Sequence, residues 1–310
     1  MKVFVAGGTG LVGSAIIRAF NSLGTEVVAP NRSSLDLLDP VATKTYIARV
    51  KPTLVVAAAA KVGGIAANNA KPVEFLSENL QIQNSLMLGA FEAGVEKFVF
   101  LSSSCIYPRD CSQPIKEEFL MTGPLESTNS AYAVAKIAGI EMINSYRREH
   151  GLDWISLMPT SLYGPGDNFN LSESHVLPAL IRRFVEAEAN NAKEVTLWGT
   201  GSPLREFLHV DDLASAVVMA SESYSDSLHL NVGTGQDLSI KALAEFIAQT
   251  AGFKGEIKWD PAKPDGTPRK VLDVSRISSM GWRPSITLEE GIASTITWYK
   301  EAVRTGDARL

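Results

Sequence analysis

Tyr132 and Lys136 stand four residues apart in Tyr-Ala-Val-Ala-Lys, so on a helix a phenol and an ammonium project from one face toward the same ligand. Ketone reduction needs this pairing. As hydride reaches the carbonyl carbon, the oxygen gains negative charge and requires a proton donor. A nearby ammonium is expected to lower the phenol's pKa and make it a better one. Ser103, in Leu-Ser-Ser-Ser-Cys at the close of an apolar run, can hydrogen-bond the same oxygen. A tyrosine and lysine at this spacing are common on structural helices, and the pair acquires meaning only from what precedes it.

What precedes it is Gly7-Gly8-Thr9-Gly10-Leu11-Val12-Gly13, which follows a short apolar run directly and opens a helical pattern. In that context glycine allows a turn with positive φ and lets backbone amides approach a pyrophosphate at the helix N-terminus. After the second strand, an acid would bind the adenine ribose 2′-hydroxyl and repel a 2′-phosphate, whereas an arginine would pair with that phosphate. The chain reads Ala29-Pro30-Asn31-Arg32-Ser33 there, so the expected cofactor is NADP rather than NAD. Asp36 and Leu37 are expected to line the adenine pocket.

Elements able to hold these groups alternate through the first 160 residues. Apolar runs KVFVAG, EVVAP, TLVVAAA, KFVFLSSS and DWISLMPT are separated by helix-length segments at 11–23, 39–50, 73–93 and 129–150. Strand and helix repeated in this way predict an α/β fold, a doubly wound parallel sheet with ligands at the carboxyl ends of its strands. Past Pro159 the pattern loosens, and a second, smaller domain is expected to start there. It carries helices at 176–190, 240–252 and 288–304 and a Pro/Gly-rich loop over 260–270. FLHVDD, a helix at 212–222 and HLNVGTG are expected to return to the first domain.

Composition sets the limits. With 45% hydrophobic and 20% charged residues among 310, the chain can bury a large core, and a net charge of −5 argues against a nucleic-acid groove. No stretch approaches the roughly 18 to 20 apolar residues of a membrane span. The N-terminal apolar run is too short for a signal sequence, which leads to an expected cytoplasmic location. Cys105 and Cys111 are expected as free thiols. His150, His175, His209 and His229 lack metal-ligand spacing, so no metal is expected.

Together the glycine loop, Ser103 and the Tyr132–Lys136 pair resemble the extended short-chain dehydrogenase/reductase family. Longer strings narrow the likeness to the GDP-L-fucose synthases: AAAKVGGIAANN at 58–69, SSCIYP at 103–108, PTSLYGPGDNF at 159–169, SHVLPALIRRF at 174–184, REFLHVDD at 205–212 and KPDGTPRK at 263–270. The likeness runs from the first strand to the last helix. It implies a Rossmann domain over 1–165, with a return at about 207–235, and a GDP-sugar-binding α/β domain over 166–310. The implied activity is epimerisation of GDP-4-keto-6-deoxy-D-mannose at C3 and C5, followed by reduction of its C4 ketone with NADPH.

Residue by residue, the resemblance makes Ser103, Tyr132 and Lys136 the reductive triad and Cys105 with His175 the acid/base pair of epimerisation. It implies cofactor contacts at Gly7 to Gly13, Arg32, Asp36, Leu37, Leu101, Ser102, Ser104, Tyr132, Lys136, Pro159, Thr160, Ser161, Leu162 and His175. GDP-sugar contacts are implied at Arg183, Trp198, Arg205 and Asp265, and a homodimer through the helices at 73–93 and 129–150. Two departures stand out: Gly8-Thr9 replaces a His-Arg pair found in many bacterial members, and Pro30 sits where a second arginine can occur. The NADP preference then rests on Arg32 alone. Both epimerisation groups suit neutral pH, since thiols titrate near 8.5 and imidazoles near 6.5. His175 stands at a predicted helix start, where the dipole favours its neutral ring. The competing readings are a 4-epimerase that retains NAD, a 4,6-dehydratase and a non-catalytic NADP sensor. A dehydratase would want an acid/base carboxylate pair where this chain has Cys105, and sensors commonly lose the tyrosine or lysine.

Overall fold

The computed structural model describes residues 1–171, 173–263 and 265–310; Pro264, inside the loop expected over 260–270, lies outside the described residues. The apolar runs form β1 (Lys2–Ala6), β2 (Glu26–Val28), β3 (Leu54–Ala57), β4 (Lys97–Leu101) and β5 (Asp153–Pro159), and HLNVGTG supplies β10 (Leu230–Val232). These six pair in parallel in the order β10-β5-β4-β3-β1-β2. The order reverses between β1 and β3, which opens the ligand crevice at their carboxyl ends.

Helices α1 (Leu11–Ser22), α2 (Pro40–Val50), α3 (Ile65–Ala70), α4 (Pro72–Glu92), α5 (Ser130–His150), α6 (Val176–Ala189), α7 (Val210–Ser223), α8 (Ile240–Ala251), α9 (Ser275–Ser279) and α10 (Leu288–Thr305) follow the expected pattern, with α3 and α9 additional. Local signals set their ends. Asp39 caps α2 by accepting from the amides of Val41 and Ala42, with Pro40 at the first position. Thr287 and Glu290 form a reciprocal capping box on α10, and Gly151 closes α5 in the left-handed region.

Both faces of the sheet are covered, so its strands are apolar on both sides. One core joins Val3, Val5, Val56 and Leu157 to Ile16 and Phe20 of α1 and Leu213 and Val217 of α7. The opposite core joins Phe4, Phe98, Phe100 and Trp154 to Ile47 of α2, Leu86 of α4 and Ile140 of α5. Each fully buried side chain of this size contributes about 1.5–3 kcal/mol. Ile277 and Trp282, late in the chain, also pack into the first of these cores.

A third core gathers Leu180, Ile181 and Phe184 of α6, Leu243 and Ile247 of α8 and Ile292 and Ile296 of α10. Around it stand three small sheets. β7 (Glu194–Trp198) pairs in parallel with β12 (Glu256–Asp260). β8 (Leu204–Arg205) lies between β11 (Leu238–Ser239) and β13 (Arg269–Lys270). β6 (Ser161–Tyr163) pairs in parallel with β9 (Phe207–His209), so FLHVDD lies beside the six-stranded sheet and not within it.

Candidate active site

The glycine loop joins β1 to α1. Gly7 has φ +84°, and a Cβ there would lie 2.8 Å from the backbone of Ala59; a Cβ on Gly13 would lie 2.1 Å from the Gly7 carbonyl oxygen. Gly10 occupies the N-cap of α1 with no side-chain cap and no acid in the first turn. The N-terminal amides of α1 are therefore left to face an anion from the crevice. Arg32 and Asp36 stand exposed past the end of β2, while Leu37 packs toward the core. Arg32 makes no ion pair among the described residues. Asp36 accepts from the Leu38 amide at 3.1 Å. The loop fits a pyrophosphate and Arg32 fits a 2′-phosphate, so the residues present suit NADP.

At the carboxyl end of β4, Leu101, Ser102 and Ser104 are buried, and the Ser102 hydroxyl has no partner among the described residues. Lys136 is also buried. Its ammonium donates to the Leu101 carbonyl at 2.9 Å, and desolvation lowers its pKa to about 8. Thr160, between β5 and β6, donates its amide to the Val232 carbonyl at 3.0 Å. Pro159, Ser161 and Leu162 flank it on the same strand ends.

Ser103, Tyr132 and Cys105 converge. Burial holds the Tyr132 phenol above its ordinary pKa, the nearby Cys105 thiol adds to that rise, and a hydrogen bond with Ser103 offsets part of it. The lowering expected from Lys136 is absent. The ammonium donates to the Leu101 carbonyl and lies 5.8 Å from the phenol ring centroid, and desolvation of the phenol is the largest influence on it. The phenol is thereby kept protonated, as a donor must be.

Arg205 on β8 closes this group from the third core. Desolvation lowers its pKa, while Cys105 and Asp265 act in the opposite sense. Asp265 is held by the Thr200 amide at 2.9 Å and hydroxyl at 2.7 Å. Trp198, at the end of β7, is 64% exposed, with the Lys263 ammonium 5.4 Å from its ring centroid. Arg183 on α6 is half-buried and unpaired among the described residues.

His175 is the N-cap of α6, and surrounding protein lowers its pKa by desolvation although the residue still meets solvent. Desolvation by the surrounding protein, rather than the helix dipole invoked from sequence, is what lowers it. No hydrogen bond joins it to Cys105 or Tyr132 among the described residues. His209 is the N-cap of α7, accepting from the Asp211 amide at 3.3 Å. His150 stacks on Phe91, and buried His229 contacts Tyr107 at 2.9 Å.

Glu206 is a further buried group that the sequence reading does not single out, although an acid directly before the apolar pair Phe207-Leu208 is a signal. It is fully buried and accepts from the amides of Thr234, Gly235 and Leu272. A depression of about 560 Å³ lies away from all these residues, beside the amino ends of β5 and β10. Its Arg147 and Arg276 already have carboxylate partners, so it offers no free guanidinium.

Residues 3–233 match the family of NAD dependent epimerases/dehydratases. The chain is 56% identical over 304 residues to a probable GDP-L-fucose synthase 1 of Oryza sativa subsp. japonica, covering 97% of this chain and 93% of the relative. It is 49% identical over 310 residues to the GDP-L-fucose synthase of Escherichia coli K12, covering 97% of each. Its structure is similar to that of a GDP-L-fucose synthetase from Naegleria fowleri bound to NADP, with a TM-score of 0.90 at 28% identity, covering 100% of this chain and 96% of the other.

Proposed function

We propose, for a chain that belongs to the NAD dependent epimerase/dehydratase family and within it to the GDP-L-fucose synthases, a two-stage conversion of GDP-4-keto-6-deoxy-D-mannose to GDP-L-fucose. The observation that carries it is the convergence of Ser103, Tyr132 and Cys105 beside Arg205. A C4 ketone acidifies the hydrogens on C3 and C5. A base removes one to give an enolate, and an acid on the opposite face returns a proton with inversion. Cys105 and His175 are the pair for this exchange, and neutral His175 suits the accepting role.

Ser103 and Tyr132 hydrogen-bond the carbonyl oxygen throughout, first as enolate and then as alkoxide. Bound NADPH supplies hydride to C4. Tyr132, kept protonated, delivers the proton to the C4 oxygen, and Lys136 then reprotonates or polarises the phenol from its place beneath it. Its lowered pKa leaves it able to exchange a proton near neutral pH. Gly7 to Gly13 hold the cofactor pyrophosphate at the start of α1, and Arg32 holds the 2′-phosphate. Arg183 and Arg205 bind the sugar-nucleotide diphosphate, Trp198 offers a flat face to guanine or ribose, and Asp265 accepts hydrogen bonds from the substrate.

The division into a cofactor-binding part over 1–165, with a return at about 207–235, and a GDP-sugar-binding part over 166–310 belongs to the same proposal. The third core around α6, α8 and α10 supports it. We also propose a cytoplasmic homodimer. A reducing compartment preserves the Cys105 thiol that exchange requires, and Val73 and Leu88 of α4 with Val134 and Met142 of α5 present exposed apolar side chains. Light scattering at the monomer mass would refute the dimer.

Incubation with GDP-4-keto-6-deoxy-D-mannose and NADPH tests the reaction. GDP-L-fucose identified by NMR, with one NADPH consumed per product, is the expected result. NADPH consumption stoichiometric with product excludes a 4-epimerase, which regenerates its cofactor each cycle, and cofactor binding with every 4-keto sugar nucleotide untouched would favour a sensor.

A further inference from the structure

The string Lys61-Val62-Gly63-Gly64 has no part in the reaction described above, yet its backbone is fixed from several sides. Asn79, buried on α4, accepts from the Lys61 amide at 2.9 Å and donates to the Lys61 carbonyl at 3.0 Å. Asn68, buried on α3, donates to the carbonyls of Gly63 at 2.8 Å and Gly64 at 3.1 Å. The Lys61 ammonium pairs with Glu74 and Glu78 on α4. From this braced segment the Gly64 amide donates to the Glu173 carbonyl at 2.8 Å, two residues before His175.

Gly64 has φ −66° and ψ 177°, a conformation any residue adopts, so its backbone does not demand glycine. Space does. A Cβ there would lie 2.8 Å from the Ser174 carbonyl oxygen and 3.5 Å from that of Glu173. Both obstacles are backbone, and neither can swing aside as a side chain would. Gly63 differs: its added Cβ would first meet the Ala67 Cβ at 3.1 Å and the Phe75 ring at 3.2 Å. Phe75 in turn packs edge-on against Tyr132, with ring centroids 6.5 Å apart. The segment thus abuts the two places where protons are proposed to move.

We propose that Gly64, braced by Asn68 and Asn79, is a positioning residue that sets the depth of His175 relative to the sugar and so controls epimerisation rather than reduction. His175 has no hydrogen bond to Cys105 or Tyr132 among the described residues, and its backbone continues directly from Glu173 and Ser174. That backbone is hydrogen-bonded at Glu173 to the segment and pressed at Ser174 against Gly64. A carbon added at Gly64 must push the 173–174 backbone away, and His175 moves with it. A displacement on the order of 1 Å from productive geometry can cost about 100-fold in rate.

This inference rests on the proposed role of His175, and the experiment separates the two. The probe is incorporation of solvent deuterium at C3 and C5 of GDP-4-keto-6-deoxy-D-mannose in heavy water with oxidised NADP, read by NMR alongside the NADPH dissociation constant. Gly64→Ala should slow exchange at least about tenfold and change NADPH binding less than about twofold. In a His175→Gln background, the same substitution should slow residual exchange by less than about twofold, because its target is gone. Asn68→Ala, which loosens the brace without adding an atom, should give the same split severalfold smaller and serves if Gly64→Ala fails to fold. Wild-type exchange in both variants, equal cost in both backgrounds, or parallel loss of NADPH binding would overturn the proposal. Slow His175→Gln with wild-type Gly64→Ala would sink the positioning alone. Wild-type exchange in His175→Gln would remove His175 from the mechanism and this inference with it.

Discussion

Asp167, in the turn after β6, is only 5% exposed. Its Oδ1 accepts from the Asn168 amide at 2.7 Å, and its Oδ2 has no partner among the described residues. Burial raises its pKa to about 7, against a partial offset from the Asn168 hydrogen bond and from Arg309. The unfolded chain releases this proton near 3.9 and the folded chain near 7, so between those values the folded state binds more protons and stability falls as pH rises. At 1.36 kcal/mol per unit, the loss between pH 5 and 8 is about 3 kcal/mol. Asp167→Asn keeps an acceptor for Asn168 and carries no titrating proton, so it should remove that slope. Buried His209 and His229, both with lowered pKa, work in the opposite sense, since the folded chain binds fewer protons there. They contribute equally to both proteins and cancel in the difference. Urea unfolding at several values from pH 5 to 8 measures it: the variant should gain on the wild type from pH 5 to about 7 and level off toward pH 8. Parallel stability curves would show that Asp167 ionises in the folded protein as freely as in the unfolded chain, and the reasoning would fail.

Cys105→Ser should suppress solvent deuterium incorporation at C3 and C5 by roughly 100-fold or more while leaving NADPH binding near the wild-type value; undiminished exchange would exclude the thiol. Tyr132→Phe should lower the rate of NADPH oxidation by roughly 100- to 10,000-fold with cofactor still bound, as followed by absorbance and by fluorescence titration. Reduction at the wild-type rate would void the triad. Arg32→Ala should erase most of the preference for NADPH over NADH in kcat/KM, because position 30 holds proline and not a second arginine; an unchanged ratio would place the 2′-phosphate elsewhere.

The sheet was legible because each of its strands carries its own signal. A strand buried on both faces reads as a continuous apolar run, and the glycine loop announces the first turn. The juxtaposition of Tyr132 and Lys136 was legible because helical spacing alone places them on one face. Chain-distant contacts were not. Nothing local to Gly64 says that its missing side chain faces the Ser174 carbonyl 110 residues onward, and although β7 and β12 each alternate polar and apolar residues, nothing local says that the two pair. The electrostatic expectation failed for a similar reason. Helical spacing brings Lys136 near Tyr132, but the desolvation that raises the phenol's pKa and lowers the ammonium's depends on packing from distant parts of the chain.

The proposed chemistry requires groups from different cores to meet at one point, and apolar packing alone does not fix such a meeting, because it is non-directional. Buried polar side chains supply the register. Glu206, next to Arg205 in sequence, binds the amides of Thr234 and Gly235 just past β10 and of Leu272 just past β13. Gly233 must be glycine, since a Cβ there would lie 2.2 Å from that carboxylate. Asn231, within β10, donates to the carbonyls of Ile115 and Asp273 and accepts from the Tyr107 hydroxyl at 2.5 Å, two residues past Cys105. The strand bearing Arg205 and the turn bearing Cys105 are thus both indexed to the same edge strand of the main sheet. Each of these hydrogen bonds is short-ranged and directional, so a slip of either segment would leave buried donors unsatisfied at about 1–3 kcal/mol apiece. It is this indexing, more than any single contact between Cys105 and Arg205, that places the thiol beside the guanidinium.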